Sequence, residues 1–75
     1  MAGELRNEQE ARTRRCLLMA WQLFQGQGGL TRDIWCEEFG VGYKTIQRDL
    51  RHIREALGWN IVCDPRTYEY YLDNK

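Results

Sequence analysis

Apolar residues recur along this chain at two different periods, and the change of period divides it into elements. Residues 1–8 are polar and are expected to be frayed, leaving a folded domain over 9–75. A first helix is expected from about Glu8 to Gln25, with Leu17, Ala20, Trp21 and Phe24 as its apolar stripe and Leu18 on the flank. Gln25-Gly26-Gln27-Gly28-Gly29 then stops it, because so many glycines cannot sustain a helix. Thr31 has the chemistry of an N-cap, and Leu30 and Trp35 fall at the two positions of a hydrophobic staple, so a second helix is predicted over Arg32 to Phe39. Phe39-Gly40-Val41-Gly42 reads as a short turn. Beyond it Ile46, Leu50, Ile53 and Leu57 stand at i, i+4, i+7 and i+11, one stripe of a third helix over Tyr43 to Leu57. Gly42 would be its N-cap, Gly58 its left-handed C-terminal residue, and Trp59 the apolar contact behind it.

The period then shortens. Asn60-Ile61-Val62-Cys63 and Tyr68-Glu69-Tyr70-Tyr71-Leu72 are rich in β-branched and aromatic residues, and Asp64-Pro65-Arg66-Thr67 between them is a turn with proline second. That is a β-hairpin. The fold class expected is α+β, mainly α: three helices and then a two-stranded hairpin. A short helix, a tight turn and a basic helix followed by such a hairpin make a winged helix-turn-helix.

Composition limits the function classes. Seventy-five residues make one domain that buries roughly 60% of its unfolded surface, so the core must be efficient. Trp21, Trp35, Phe24, Phe39 and Tyr70 read as core on helical stripes rather than as a stacking platform for single strands. Tyr68 and Tyr71 are read as the hairpin face opposite Tyr70 and Leu72, and as a partner surface if exposed. No apolar run is long enough for a membrane span and no signal peptide is visible, so a soluble cytoplasmic protein without membrane contact is expected. Cys16, Cys36 and Cys63 form no Cys-x-x-Cys pair, and His52 is the single histidine. Neither a metal site nor a cofactor is expected, and each cysteine reads as a small buried hydrophobe. No nucleophile sits beside a base and no carboxylate pair has a cleft, so the chain does not read as an enzyme.

Net charge is zero, whereas nucleic-acid modules are usually basic. The distribution is uneven. Lys44, Arg48, Arg51 and Arg54 stand against Asp49 alone in 43–54, Arg12, Arg14 and Arg15 cluster in the first helix, and acids gather elsewhere. Tyr43, Lys44, Gln47, Arg48, Arg51 and Arg54 would form the polar face of the third helix. Gln47 can pair with adenine, and Arg48 or Arg51 with guanine. Lys44 and Tyr43, at the helix start, are expected to position the phosphate backbone. Thr31 and Arg32 open the second helix, another place for phosphate contact, where Thr31 can equally be only a cap. Arg66 at the hairpin tip can enter a minor groove or remain an exposed turn residue. Asp49 is read as structural, orienting an arginine, and His52 as a surface residue.

Gly40-Val41-Gly42-Tyr43-Lys44-Thr45-Ile46-Gln47-Arg48-Asp49-Leu50 resembles the "gVS-x-x-T-I-x-R-D-L" signature of DeoR-type winged-helix regulators, shared by the N-terminal domains of WYL-domain regulators. Leu57-Gly58, Ile61 and Tyr70-Tyr71-Leu72 match the elements that follow, so the resemblance covers about 15–72. It implies DNA contact by Thr45 and Arg48. Gly42 stands where the family has serine, the hairpin turn lacks the family's glycines, and most members continue into an effector-binding or oligomerisation domain. These residues are then either a small stand-alone regulator or an excised DNA-binding domain.

The function expected is sequence-specific binding of double-stranded DNA in transcriptional regulation, with repression favoured because so small a domain has little surface for recruiting polymerase. One recognition helix reads few base pairs, so a weak homodimer through the first helix or Tyr68 and Tyr71 is expected. Two alternatives stay open. One is a protein-binding winged helix of a phage or mobile element that inhibits or recruits a host complex. The other is an architectural factor in replication or recombination.

Overall fold

Three helices and a two-stranded antiparallel hairpin follow one another along the chain: α1 (Ala2–Gln25), α2 (Arg32–Phe39), α3 (Tyr43–Leu57), β1 (Ile61–Cys63) and β2 (Tyr70–Leu72). The structure, a computed structural model, describes the backbone of residues 2–73 and the side chains of residues 8–73.

Local signals set the ends of α2 and α3. Thr31 has an extended backbone and its Oγ1 accepts a hydrogen bond from the Ile34 N–H at 3.1 Å, which makes it the N-cap of α2. Gly40 closes α2 with a φ of 66° and donates its N–H to Cys36 O. Gly58 closes α3 in the same left-handed conformation and donates to Arg54 O. Both helices occupy the expected ranges. α1 does not: it begins at Ala2 rather than near Glu8, in keeping with a run of Glu, Arg, Gln and Ala, all good helix formers.

The core joins every element. Met19 and Leu23 of α1, Leu30 of the first connection, Trp35 of α2, Ile46, Leu50 and Ile53 of α3, and Ile61 of β1 are all buried. Cys16 and Ala20 pack against them, so the inward stripe of α1 is 16-19-20-23. The expected stripe of Leu17, Trp21 and Phe24 is exposed instead, as is Leu18, and Trp21 and Phe24 are not core residues. Leu57, the last of the α3 stripe, is also exposed. Trp35, Phe39 and Tyr70 do pack into the core. Of the cysteines, Cys16 and Cys36 are partly buried, whereas Cys63 is exposed on the short edge of the hairpin. Burial raises the pKa of the Cys16 thiol, and the nearby Asp49 carboxylate raises it further.

α1 is locked to α3 by one ion pair across the core. Arg15 Nε donates to Asp49 Oδ2 at 2.6 Å, and Asp49 is 1% exposed. α1 also holds α2, since Trp35 Nε1 donates to Gln22 Oε1 at 2.8 Å.

The hairpin pairs Ile61 with Leu72, Val62 with Tyr71 and Cys63 with Tyr70. It docks on the first connection, where Tyr70 N donates to Leu30 O at 2.8 Å and Gly29 N donates to Glu69 Oε1 at 2.6 Å. Trp35 stacks on Tyr70 with centroids 5.5 Å apart. The strands are shorter than expected because the turn reaches to Tyr68. Asp64 organises it, with Oδ1 accepting from Arg66 N at 2.8 Å and O accepting from Tyr68 N at 2.7 Å. Tyr68 takes a φ of 62°, where glycine is the usual residue. An L side chain there costs about 1–2 kcal/mol, against roughly 0.5–1 kcal/mol of entropy that glycine would lose on ordering. Because Tyr68 is 68% exposed, little packing offsets the strain. Tyr68→Gly is therefore expected to stabilise the domain by up to about 1 kcal/mol in urea unfolding. A loss of stability would show that the ring packs more strongly than its exposure indicates.

No helix among the described residues is long and apolar enough to cross a membrane.

Candidate nucleic-acid interface

α3 has two chemically distinct sides. Ile46, Asp49, Leu50 and Ile53 face the core. Lys44, Gln47, Arg48 and Arg51 stand at i, i+3, i+4 and i+7, and all are exposed. Their side chains make no hydrogen bond or ion pair with other described residues, so three cations and an amide are presented uncommitted. Thr45 lies at the edge of this face, half-buried. It shares a shallow depression with Arg48, Val41, Glu8 and Arg12, which brings the N-terminal half of α1 alongside the start of α3.

The start of α3 is tied to the start of α2. Tyr43 Oη donates to Asp33 Oδ1 at 2.6 Å, and the Arg32 guanidinium lies over the Tyr43 ring, 4.5 Å from its centroid. The hydrogen bond to Asp33, and then the charge of that carboxylate, raise the Tyr43 pKa, so the phenol stays a neutral donor. Sequence reasoning missed Asp33. Nothing in its local context marks it as a partner, since an acid in the first turn of a helix is explained already by the helix dipole.

Gly42 supplies no side-chain hydrogen bond at the N-terminus of α3. The first-turn amides of that helix lack the acceptor that a serine or threonine cap would give, and their partial positive charge faces outward beside Lys44.

Thr31, Arg32 and Tyr43 form one wall of a cleft of about 510 Å³ whose other wall is the hairpin, through Cys63, Thr67, Tyr68 and Tyr70. The start of α2, the start of α3 and the hairpin turn thus converge. Burial raises the pKa of Tyr70, with the Cys63 thiol adding to the shift. Arg66 projects from the turn and is exposed.

Arg54 is exposed, and its Nη2 donates to Ile61 O at 2.9 Å, which fastens the end of α3 to the base of the hairpin. Asp49 is structural as expected, but its arginine partner is Arg15 of α1, not one on its own helix. His52 is exposed, with Nε2 lying 3.4 Å from Arg12 Nη1.

No family model matches the chain, and neither a curated protein nor a solved structure does.

Proposed function

We propose that this domain is a winged helix-turn-helix that binds double-stranded DNA in a sequence-specific way and serves as a small transcriptional regulator, a repressor rather than an activator. The observation that carries the reading is the outward face of α3. Lys44, Gln47, Arg48 and Arg51 are exposed along one side, paired with nothing among the described residues, on a helix whose opposite side is held by the core. A rigid helix with long donor side chains on one face suits the major groove, whose base edges offer paired acceptors. The resemblance of 40–50 to DeoR-type regulators adds to this reading.

The supporting parts have separate roles. Lys44 and the α3 amides left uncapped by Gly42 take phosphate at one end of the groove. Arg32, positioned by its stacking on Tyr43, and Thr31 offer a second phosphate contact at the start of α2. Arg66 lies at the hairpin tip, where a cation can approach the backbone or a minor groove. Tyr68 is strained and exposed beside it, the expected state of a residue retained for an external contact.

The test is a titration of duplex DNA at several salt concentrations. With Arg32, Lys44, Arg51 and Arg66 near phosphate, log affinity is expected to fall against log salt with a slope of roughly −3 to −4. Zero net charge keeps non-specific binding weak, so the cognate site must first be selected from random duplexes and sequenced. A folded protein that retains no duplex at low salt would refute the proposal and favour a protein partner.

A further inference from the structure

The C-terminal half of α1 turns an apolar stripe away from the core. Leu17 is 66% exposed, Trp21 57% and Phe24 54%, and their i, i+4, i+7 spacing makes one stripe. Phe24 continues it onto Trp59, stacked at 6.4 Å, and lies 6.2 Å from Trp21. Leu18 and Leu57 flank the stripe, both exposed. Between α1 and α3 runs a trough of about 310 Å³ whose walls include Cys16, Leu17, Ile53, Ala56 and Leu57. Singly exposed hydrophobes are ordinary, but a contiguous aromatic patch of this kind marks an interaction surface.

We infer that this face joins two copies of the chain, α1 against α1 in antiparallel orientation. The area fits. The five side chains leave on the order of 500 Å² exposed per copy, or on the order of 1,000 Å² in a pair, the lower end of specific interfaces and the size of a weak, reversible dimer.

The charge pattern sets the orientation. The stripe continues toward the N-terminus through Arg14 and Glu10, both exposed. A two-fold axis passing between Leu17 and Leu18 sets Arg14 of one copy over Trp21 of the other, and symmetry makes the contact twice. A guanidinium over an indole is the best of the cation–π pairs. The same axis sets Leu17 against Leu18 and brings the N-terminal half of each α1 over Phe24 of its mate. A parallel pair would instead oppose Arg14 to Arg14, a like-charge contact. The stripe contains none of the exposed polar residues of α3, and the inference does not depend on what α3 binds.

Sedimentation equilibrium of the whole chain from roughly 10 µM to 1 mM tests it, a range suited to a small interface. The wild type is expected to rise with concentration from 9.0 kDa toward twice that mass. Trp21→Glu is expected to stay at the monomer mass throughout. Because Trp21 is more than half exposed and its ring contact is with Phe24, the fold read by circular dichroism should be kept and melting should fall only modestly, and Leu17→Glu serves as a second variant if Trp21→Glu fails to fold. Arg14→Glu is expected to weaken association by about fivefold or more. A wild type that remains monomeric at the highest concentration, or a dimer that survives both stripe substitutions, would overturn the inference. A dimer abolished by the stripe variants but indifferent to Arg14→Glu would overturn the antiparallel register.

Discussion

Arg15→Leu is expected to cost about 3–5 kcal/mol, the range for removing one partner of a buried ion pair. A chain of 75 residues has roughly 4–11 kcal/mol in total, so this single change should take about a quarter or more of the stability. The loss comes from what remains. Asp49 is all but inaccessible, and without the guanidinium its carboxylate would sit uncompensated between α1 and α3. Removing the other partner should cost less. The Arg15 side chain keeps 15% exposure, so in Asp49→Asn its charge can turn toward water. The double variant Arg15→Leu with Asp49→Leu should recover most of the loss, since an apolar pair of fitting size replaces both charges. Urea unfolding of the three variants checks the order. If Asp49→Asn proves more damaging than Arg15→Leu, the carboxylate is more solvated than its burial implies.

That ion pair also explains why α1 was the least legible element. Apolar residues at 16–21, 23 and 24 wrap well over half of the helix circumference, so periodicity could not choose between stripes one residue apart. The choice is tertiary. Asp49 draws Arg15 inward, Gln22 reaches the Trp35 indole, and the face carrying Met19 and Leu23 follows them into the core. In α3, by contrast, Ile46, Leu50 and Ile53 are separated by charged residues and leave a single way to fold, which the local period reveals. α2 was legible for a different reason. Thr31 and Gly40 are capping residues whose chemistry acts within one turn of the chain.

The candidate site divides in the same way. Exposure of Lys44, Gln47, Arg48 and Arg51 follows directly from burial of the opposite stripe, so one helix suffices to infer it. The role of Arg54 could not be inferred, because it depends on where the hairpin returns, and a carbonyl at Ile61 carries no sequence signal. The Asp33–Tyr43 contact joins residues on different helices through a turn whose angle only the fold defines. The strain at Tyr68 was visible in part, as a hairpin turn without glycine.

Substitutions on α3 should separate reading from positioning. Gln47 and Arg48 are central on the exposed face, where an amide or guanidinium can meet a base edge with two hydrogen bonds. Gln47→Ala or Arg48→Ala is expected to cost about 1–3 kcal/mol on the selected site, roughly 5- to 150-fold in affinity, and to flatten preference at the base pair each one contacts. Both side chains lack partners among the described residues, so stability should hardly move, and a melting curve distinguishes lost contact from lost fold. Lys44→Ala, beside the uncapped start of α3, should weaken cognate and random duplexes by a similar factor and make the salt slope about one unit shallower. Arg54→Ala gives the contrasting pattern. It releases the base of the hairpin, so stability falls along with DNA affinity and the two losses track each other. The measurement is a competition assay on a library randomised at each position of the site. If Lys44→Ala alters base preference while Gln47→Ala and Arg48→Ala leave it intact, α3 meets its ligand by its N-terminal end rather than along its length, and the proposed docking must be rotated accordingly.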